Sequence, residues 1–442
     1  MINALTGMPQ QDAVKNKALD VVRMAKTDHA RAEQLALGLI NELAPELGAQ
    51  SLALNKDSVL SLNSVNGRIE SGKKKYFFKF HAEEGDVDTL KNSEYYNAEL
   101  LAKNGWPMVM PVFTSTKPGM QFVVYDYINA PTAFAAYGGV EGRYLRGGGY
   151  QGERLAALLR ADEKLCRNIS EGYSKSLELT DRADIEDASL NQLFYSRLAG
   201  APENPSRLER YYQGQNVALP NGETIPFNEL AKMPWTINGV QYEETLETII
   251  AKAKDLLNPA KEERTPSVVG HGDDHNGNKF FIDGEFKLYD PAFAGRQPAL
   301  LSFVKATAHN TLLHPQWLYE PERLEGKLEL NGAIRDGVVF IDHNWKTEEL
   351  SPMRLSILDI YAKEVWQPLV TEMSKRGWLP DYWQEYIRAA LFSCPFLVQN
   401  LIGEKYAPAQ SMLALSKCVE LGSKGDTETL VGKFLKSIEP KV

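Results

Sequence analysis

The sequence predicts an α+β fold in which a small antiparallel sheet precedes a mainly helical remainder. Between residues 51 and 128, apolar residues alternate as in strands and are separated by turn residues. From residue 153 onward, most apolar positions recur at helical spacing. Within that helical part, residues 268–290 predict a strand, a polar loop and a β-hairpin. A chain of 442 residues is long enough for two units with separate cores.

Residues 1–50 are predicted to form a helical N-terminal extension. Apolar residues recur at helical spacing, as at Leu19, Val22 and Ala25 and again over 35–43, with Lys and Glu between them. We therefore expect this extension to pack on the first unit, and its residues indicate no chemistry.

Residues 51–128 are predicted to form an antiparallel sheet with one helix. The expected elements are strands at 59–62, 68–70, 76–80 and 121–128, with turns at Asn66-Gly67 and Ser71-Gly72. Lys79 lies inside the aromatic third strand, where a lysine either extends outward to solvent or is held inward by an acid and a phosphate. Residues 92–103 predict a helix that contains Glu94 and Glu99.

Residues 129–442 are predicted to form the second, mostly helical unit. Expected helices lie at 153–171, 188–198, 242–257 and through most of 300–442, with a hairpin inserted in 199–242 and a small β insertion at 327–341. The glycine-rich segment 138–152 is predicted to be a mobile loop, although 147–152 matches the dinucleotide pattern GxGxxG, because no apolar strand precedes that match. A near P-loop at 67–74 is rejected because it ends in Lys and runs into a strand.

The polar loop and hairpin at 268–290 carry the residues of greatest chemical interest. They are His271, Asp273, Asp274, His275, Asn278 and Asp290. So many polar side chains between buried strands are costly unless they are paired or functional. An Asp/Asn-rich turn with capping side chains is the structural alternative. A transition-metal site at His271 and His275 is disfavoured, because their spacing suits a helix and Gly272 and Gly277 argue against one.

Two chemistries suit this set of residues. Asp273 and Asn278 on one loop, with Asp290 after the hairpin, are hard oxygen ligands of the kind that Mg²⁺ takes together with substrate phosphates. A carboxylate two residues after a histidine suits a base that accepts a hydroxyl proton.

The pattern His271-Gly272-Asp273, four residues, Asn278, then a hairpin and Asp290, resembles the catalytic loop of the small-molecule branch of the protein-kinase-like fold. That branch contains the aminoglycoside phosphotransferases and choline kinases. The resemblance implies that Asp273 is the catalytic base, that Asn278 and Asp290 bind Mg²⁺, and that His271 structures the loop. The further Asp that many such enzymes carry about ten residues later is missing from 300–304.

The same resemblance implies a set of nucleotide contacts. Lys79 would pair with ATP phosphates and with a helix acid, for which Glu99 is our choice and Glu94 a competitor. Loop 61–67 would cover the phosphates with backbone N–H groups and with Ser64 and Asn66, although it holds one glycine where the family is usually richer.

The connector after the fourth strand would bind adenine. In such folds this segment contacts the adenine edge through backbone groups, and Asp126 to Ile128 would occupy that place. A plain buried strand explains the apolar content of this segment equally well.

The resemblance implies a two-lobed kinase-like fold that holds ATP between its lobes. The reaction would transfer the γ-phosphoryl group to a hydroxyl of a small molecule, namely a sugar, amino sugar, aminoglycoside or amino alcohol. Asp274, Glu320 and Glu322 favour a cationic acceptor if they face it, whereas a neutral sugar is equally compatible. The alternatives are a non-catalytic nucleotide-binding or interaction protein that kept the fold, and a transferase that moves AMP.

The composition excludes several classes of protein. A net charge of −9 argues against a nucleic-acid binder. The three cysteines are far apart, so neither disulfides nor a zinc site is expected. The start resembles no signal peptide and the apolar stretch 389–402 is too short for a membrane span, so we expect a cytoplasmic protein. The sequence predicts no oligomeric state.

Overall fold

The computed structural model describes residues 17–55, 64–81, 97–115, 117, 119–144, 152–201, 204–345, 350–424 and 429–441. The chain divides into two compact units. Unit 1 comprises Met1–Tyr96 and Met110–Asn129, and unit 2 comprises Asn97–Val109 and Ala130–Val442. This division differs from the predicted boundaries at 97–109, which belong to unit 2, and it joins the N-terminal helices to the first sheet. The predicted functional division at residues 50 and 128 stays a prediction.

Unit 1 combines two helices with an antiparallel sheet. Its elements are α1 (Lys17–Ala25), α2 (His29–Leu43), β1 (Ser51–Leu54), β2 (Ser64–Ser71), β3 (Lys74–His81), β4 (Phe113–Ser115) and β5 (Phe122–Asp126). The described strands pair in the order β1-β2-β3-β5-β4. The helices predicted between residues 1 and 50 are thus confirmed for 17–43, and the strands at 76–80 and 121–128 are confirmed.

The core of unit 1 lies between the helices and one face of the sheet. Asp28 caps α2 by accepting a hydrogen bond from the Arg31 N–H at 3.0 Å. The buried face of α2 has the four-residue spacing of Ala32, Ala36 and Ile40. The strands contribute an aromatic cluster, listed here as Phe78, Phe80, Phe113 and Phe122, with neighbouring ring centroids 5.0–5.6 Å apart.

The predicted turn at Asn66-Gly67 is wrong, because both residues lie inside β2. Asn66 pairs with Lys79 of β3, and Gly67 pairs with Phe78. A Cβ at position 67 would lie 2.3 Å from the Ala53 carbonyl oxygen, so this glycine allows close approach of β1 rather than a turn. The turn predicted at Ser71-Gly72 is confirmed. The predicted strand 59–62 and Glu94 lie outside the described residues.

Helices form most of unit 2. They are α3 (Ala98–Lys103), α4 (Ala133–Tyr144), α5 (Gly152–Ser176), α6 (Arg182–Ile185), α7 (Ser189–Asn191), α8 (Arg197–Ala199), α9 (Arg207–Tyr211), α10 (Phe227–Leu230), α11 (Leu246–Leu256), α12 (Val304–Thr307), α13 (Pro315–Leu318), α14 (Pro352–Tyr361), α15 (Gln367–Lys375), α16 (Trp383–Val398), α17 (Pro408–Gly422) and α18 (Leu430–Ser437). Among the described residues, π-helical turns occupy Gln192–Ser196, Ala308–Leu312 and Ala362–Trp366.

Short strands complete unit 2. They are β6 (Glu178–Asp181), β7 (Asn216–Ala218), β8 (Thr224–Pro226), β9 (Trp235–Ile237), β10 (Val240–Tyr242), β11 (Arg264–Gly270), β12 (Lys279–Ile282), β13 (Glu285–Leu288), β14 (Gly295–Pro298), β15 (Leu330–Arg335) and β16 (Val338–His343). They pair in the orders β14-β11-β6, β10-β9-β16-β15, β12-β13 and β7-β8. The α+β class, the hairpin within 199–242 and the β insertion near 327–341 are therefore confirmed.

The glycine-rich segment predicted to be a mobile loop is helical as far as residue 144. Helix α4 buries Ala133, Ala136, Tyr137 and Val140, which recur at helical spacing. Glu141 on the same face pairs with Arg354 of α14 at 2.7 Å. Burial of this stripe outweighs the low helix propensity of glycine. Among the described residues, no helix is both long and apolar enough to cross a membrane.

Replacing Gly67 by Ala is expected to destabilise unit 1. The new methyl group would meet the Ala53 carbonyl oxygen at 2.3 Å and a Phe78 ring carbon at 2.9 Å. We expect a loss of about 1–3 kcal/mol in the free energy of unfolding, measured by denaturant titration. The matched control is Gly38→Ala in α2, where nothing lies within 4 Å of the added atom. That change is expected to stabilise the helix by up to about 1 kcal/mol. Equal stability of both variants would contradict the prediction.

Candidate active site

The candidate site is built on the loop that follows β11. The strand ends at Gly270 and the chain turns at Gly272, whose φ is +75°. A Cβ there would lie 2.8 Å from the Phe293 carbonyl oxygen, so only glycine fits without displacement. The loop then forms a 3-10 turn at Asn276–Asn278 and enters β12. This tight path fixes the side chains on both sides of the turn.

His271 ties the loop to the far end of the hairpin. It is fully buried, and its Nε2–H donates to the Tyr289 carbonyl oxygen at 3.0 Å. Its Nδ1 accepts from the Asp273 N–H at 3.3 Å. Burial lowers the pKa of His271, although the nearby Asp273 opposes this shift. These contacts suit a neutral imidazole with its proton on Nε2, and they hold the segment before Asp290 against the loop.

Asn278 closes the loop on itself. Its side-chain Nδ2 donates to the Asp273 carbonyl oxygen at 2.8 Å, and its backbone N–H donates to the His275 carbonyl oxygen at 2.8 Å. The carbonyl oxygen of Asn278 accepts from the Tyr289 N–H at 3.1 Å. Asp273, Asn278 and Tyr289, the residue before Asp290, are therefore linked by hydrogen bonds in a single local network.

Asp290 follows the hairpin in a left-handed backbone conformation. Its φ is +58° and its side chain is buried. The predicted third strand ends at Leu288 rather than at Asp290, so the carboxylate belongs to the turn after β13. A non-glycine residue in this conformation is uncommon outside functional turns, although Asp tolerates it better than most residues.

The residues present fit a magnesium ion better than a transition metal. Because Asn278 donates through Nδ2, its oxygen Oδ1 is the end of the amide that can bind a cation. With the Asp290 carboxylate, it supplies hard oxygen donors of the type that Mg²⁺ takes alongside water and phosphate oxygens. Among the described residues, no group of three or more His, Cys, Asp or Glu side chains could hold a metal ion. Asn278 and Asp290 alone would therefore not surround the ion, and water and phosphate oxygens would complete its coordination.

Lys305 is the main site residue that the sequence analysis missed. Its ammonium contacts Asp273 Oδ1, and the side chain is 15% exposed. Burial would raise the pKa of Asp273, but the Lys305 ammonium outweighs it and holds that pKa well below its usual range. Lys305 comes from α12, one residue beyond the segment 300–304 in which an Asp is missing. A lysine on a short helix carries no signal in the sequence, so only the fold reveals this contact.

A row of histidines continues from Asp273. His275 accepts from the Gly277 N–H through Nδ1 at 3.0 Å, and its Nε2 lies 3.6 Å from Asp273 Oδ1. The ring centroid of His309 lies 6.2 Å from that of His275. The Nδ1 of His309 hydrogen-bonds the Tyr319 hydroxyl at 2.8 Å. His309 therefore lies beside the catalytic loop.

A buried polar network supports the loop from behind. Lys279 Nζ lies 3.4 Å from Asp162 Oδ1 and donates to the Tyr361 hydroxyl at 3.2 Å. Tyr137 contacts the other oxygen of Asp162. Asn310 donates to the Tyr361 hydroxyl at 3.0 Å. Since the charged groups have partners, the network can stay buried while it fixes the start of β12.

Asp274 faces the interior rather than the acceptor. It is 2% exposed, and burial raises its pKa to about 7. Of the other two acids considered for a cationic acceptor, Glu320 pairs with Arg323 at 2.8 Å, and Glu322 is exposed. Of the three acids considered in the sequence analysis, Asp274 is therefore turned inward and Glu320 already has a cationic partner.

The C-terminal end of the helix that carries Lys305, and the π-helical turn that follows it, are held by side chains of later helices. Trp366 Nε1 donates to Thr307 Oγ1 at 2.8 Å. Arg354 Nη1 donates to the carbonyl oxygens of Thr311 and Leu313 at 3.3 and 3.0 Å, which satisfies groups at the end of the π-helical turn. Arg354 is itself held by the buried Glu141, whose pKa stays well below its usual range because this arginine outweighs burial.

The predicted nucleotide contacts of unit 1 have defined places in its sheet. Lys79 lies in β3 opposite Val123, and Ser64 begins β2. Asn66 is buried and accepts from Asn55 Nδ2 at 2.7 Å. Asp126 is exposed at the end of β5. The nucleotide role of each of these residues stays a prediction.

Ile128 and Glu99 complete the set of predicted nucleotide contacts. Ile128 is half-buried beyond β5. Glu99 lies in α3 of unit 2, where its carboxylate is 80% exposed and 3.8 Å from Lys103. Pairing of Glu99 with Lys79 stays a prediction, as does the adenine contact at Ile128.

A cavity of about 400 Å³ lies at the other end of β11, against Arg264, Thr265 and Pro266. Its wall includes Tyr382, whose hydroxyl donates to Glu262 at 2.6 Å. None of the predicted site residues lines this cavity, so it is separate from the catalytic loop.

Comparisons with family models and with curated proteins find no match. Among solved structures, an amicoumacin kinase with bound AMP-PNP and Ca²⁺ is 14% identical, with a TM-score of 0.44, covering 91% of this chain and 95% of its own. A choline kinase from Streptococcus pneumoniae is 12% identical, with a TM-score of 0.39, and the match covers 88% of this chain and 99% of the kinase. A glucosamine kinase with bound glucosamine and ADP is 14% identical, with a TM-score of 0.37, covering 80% and 76%. All three TM-scores are below 0.5, so these likenesses carry no conclusion about the function of this chain.

Replacing Asp274 by Asn is expected to change how stability depends on pH. Because folding raises the carboxyl pKa from about 4 to about 7, the native state holds a proton that the unfolded state releases within this range. The parent protein therefore loses stability as the pH rises from 4 to 7. Asn cannot lose this proton, so the variant should gain relative stability over the same range, on the order of 2–4 kcal/mol. Denaturant titrations at pH 4.5 and 7.5 measure the difference, and a difference that does not change with pH contradicts the assignment.

Replacing Lys279 by Met is expected to destabilise unit 2 by about 3–5 kcal/mol, because it leaves the carboxylate of Asp162 buried without its cation. The double variant with Asp162→Asn should recover part of that loss, since no buried charge remains. A double-mutant cycle in urea measures the coupling. Additive effects of the two changes would show that the pair is not a unit.

Proposed function

We propose that this chain transfers the γ-phosphoryl group of ATP, with Mg²⁺, to a hydroxyl group of a small molecule. The observation that carries the proposal is the local hydrogen-bond network that joins Asp273 and Asn278 to Tyr289, the residue before Asp290. One loop and one hairpin present a carboxylate, an amide oxygen and a second carboxylate, linked by the hydrogen bonds of His271 and Asn278. This is the set of groups that phosphoryl transfer to an alcohol requires.

Asp273 is the group that orients the attacking hydroxyl. As the hydroxyl oxygen bonds to the γ-phosphorus, the bond to the bridging oxygen of ADP breaks and the hydroxyl proton passes to Asp273. Since Lys305 keeps the pKa of Asp273 low, this carboxylate is a weak base in the ground state. It therefore accepts the proton late, once the new bond has made the hydroxyl acidic, which agrees with a loose transition state.

The remaining predicted residues hold the nucleotide and the metal ion. Asn278 and Asp290 would bind Mg²⁺, which neutralises phosphate charge when bound. Lys79, paired with Glu99, would bind phosphate oxygens, with Ser64 and Asn66 near the phosphates and Asp126 and Ile128 at the adenine. His271 keeps the loop in register through Tyr289.

The proposed partner is a small hydroxyl compound, and the proposed location is the cytoplasm. The first part of the apolar stretch 389–402 lies in α16, where Ala389 to Leu397 are buried. The competing function, a non-catalytic nucleotide-binding protein, predicts nucleotide binding without turnover.

Magnesium-dependent turnover of ATP tests the proposal. Asp273→Asn and Asp290→Asn should each lower kcat by about 10²–10⁴-fold, because one loses the proton acceptor and the other a metal ligand. Asp283→Asn is the matched control, since Asp283 lies in the turn of the same hairpin with a φ of +49° and is exposed. It should keep activity within about twofold.

The competing outcomes are distinct. Nucleotide binding without turnover would favour the non-catalytic protein. Release of pyrophosphate with AMP on the acceptor would show a different transfer. Absence of nucleotide binding would refute the proposal.

A further inference from the structure

One continuous row of half-buried polar side chains leads away from the catalytic carboxylate in unit 2. We name it the acceptor wall, and it consists of Lys305, Asp273, His275, His309 and Tyr319. The contacts run along the row, from the ammonium on Asp273, through His275 and His309, to the Tyr319 hydroxyl. The rings of His309 and Tyr319 stack with an interplanar angle of 24°. The wall therefore offers both flat ring surfaces and hydrogen-bonding atoms next to the group that orients the hydroxyl.

The acceptor wall carries no net negative charge. The Asp273 carboxylate is offset by the Lys305 ammonium in direct contact with it. His275 accepts an N–H at Nδ1, so that nitrogen carries no proton and the ring is neutral. Burial and the adjacent Lys305 lower the pKa of His309 well below its usual range, which keeps this ring neutral as well.

Three further acids that the sequence or the site brings into question do not offset the Lys305 charge at the wall. Asp274 points into the interior, and Glu320 is paired with Arg323. Asp290 is the proposed metal ligand. A substrate ammonium group at the acceptor wall would therefore lie next to the Lys305 ammonium, which already pairs with Asp273, the carboxylate of the wall.

We propose that the acceptor is an uncharged polyhydroxyl compound, such as a sugar or polyol without an amino group, and that Lys305 determines this specificity. The inference rests on the proposed phosphotransferase function. It narrows the acceptors that the sequence leaves open, because amino sugars, aminoglycosides and amino alcohols all carry a cation. The Lys305 ammonium donates to hydroxyl oxygens of a neutral acceptor, while Asp273 accepts from the hydroxyl that reacts.

The expected preference arises because the Lys305 ammonium interacts differently with a substrate hydroxyl and with a substrate ammonium. A hydroxyl can accept a hydrogen bond from Lys305, whereas an ammonium has no acceptor atom and repels it. Bringing two positive charges together in a site with little water costs enough free energy to weaken binding of the ammonium compound. The flat rings of His309 and Tyr319 suit the apolar face of a sugar ring.

Matched acceptor pairs test the inference directly. The pairs are D-glucose and D-glucosamine, D-galactose and D-galactosamine, and glycerol and 3-aminopropane-1,2-diol, which differ by one hydroxyl against one ammonium. Two quantities are measured for each pair: kcat/KM for transfer from ATP, and saturable binding in the presence of AMP-PNP. We expect the parent protein to favour the neutral member at least about tenfold in the pair it accepts.

Lys305→Gln and Lys305→Arg identify the residue responsible. The Gln variant removes the charge, so its preference for the neutral member should fall to about threefold or less. The Arg variant keeps the charge and should keep the preference, even if its kcat is lower. Lys363→Gln is the surface control, because Lys363 is 76% exposed and contacts Glu364. Thermal melts of each variant check folding, and the ratio within one variant does not depend on the fraction folded.

Three results would overturn the inference. The first is a parent protein that prefers the ammonium member of a pair, and the second is a preference that Lys305→Gln leaves unchanged. The third is ATP turnover sensitive to Asp290→Asn with no binding of any neutral acceptor. Failure of the proposed function is a separate result, seen as absence of that turnover, and the inference would fail with it.

Discussion

The hydrogen bond from His271 to the Tyr289 carbonyl is the constraint on which the candidate site depends. It joins the end of β11 to the end of the β12–β13 hairpin, two segments separated by 18 positions in the sequence. Asp273 and Asp290 lie immediately beyond its two ends. Because the imidazole is buried and uses both nitrogens, neither end can move without leaving a polar group unpaired. The relative position of the two carboxylates is therefore a property of the fold rather than of a ligand.

Charged groups serve two different purposes around this loop. Behind it, Lys279 and Asp162 are fully buried and bonded to tyrosine hydroxyls, so they stabilise one arrangement of β12 against α5. In front of it, Lys305 and Asp273 are partly exposed and can exchange partners when a substrate arrives. The low dielectric of the first setting makes rearrangement costly, whereas water access in the second keeps it possible. The structure thus combines a rigid support with an adaptable surface.

The sequence predicted the class of fold and the catalytic loop because both depend on local patterns. Asp283-Gly284 and Ser71-Gly72 form the predicted tight turns, because Asp and Gly tolerate the positive φ that such turns need. Asn66-Gly67 has the same residue types but lies in β2, because strand pairing with β3 outweighs the turn preference of these two residues. The helix α4 was missed because burial of its apolar stripe overrides its glycines. Lys305 was missed because its contact with Asp273 joins residues 32 positions apart, and no motif marks such a pair.

The π-helical turn at Ala308–Leu312 has an evolutionary consequence. A π turn holds one residue more than an α turn, so it can arise from, or revert by, a single-codon insertion or deletion. Deleting one residue here would shorten the π turn to an α turn, while Leu313, which follows the turn in extended backbone, would keep its place. Asn310 would lose its bond to Tyr361, and His309 would leave Tyr319. A related chain could thus replace the surroundings of its acceptor in one genetic step while Asp273, Asn278 and Asp290 keep their places.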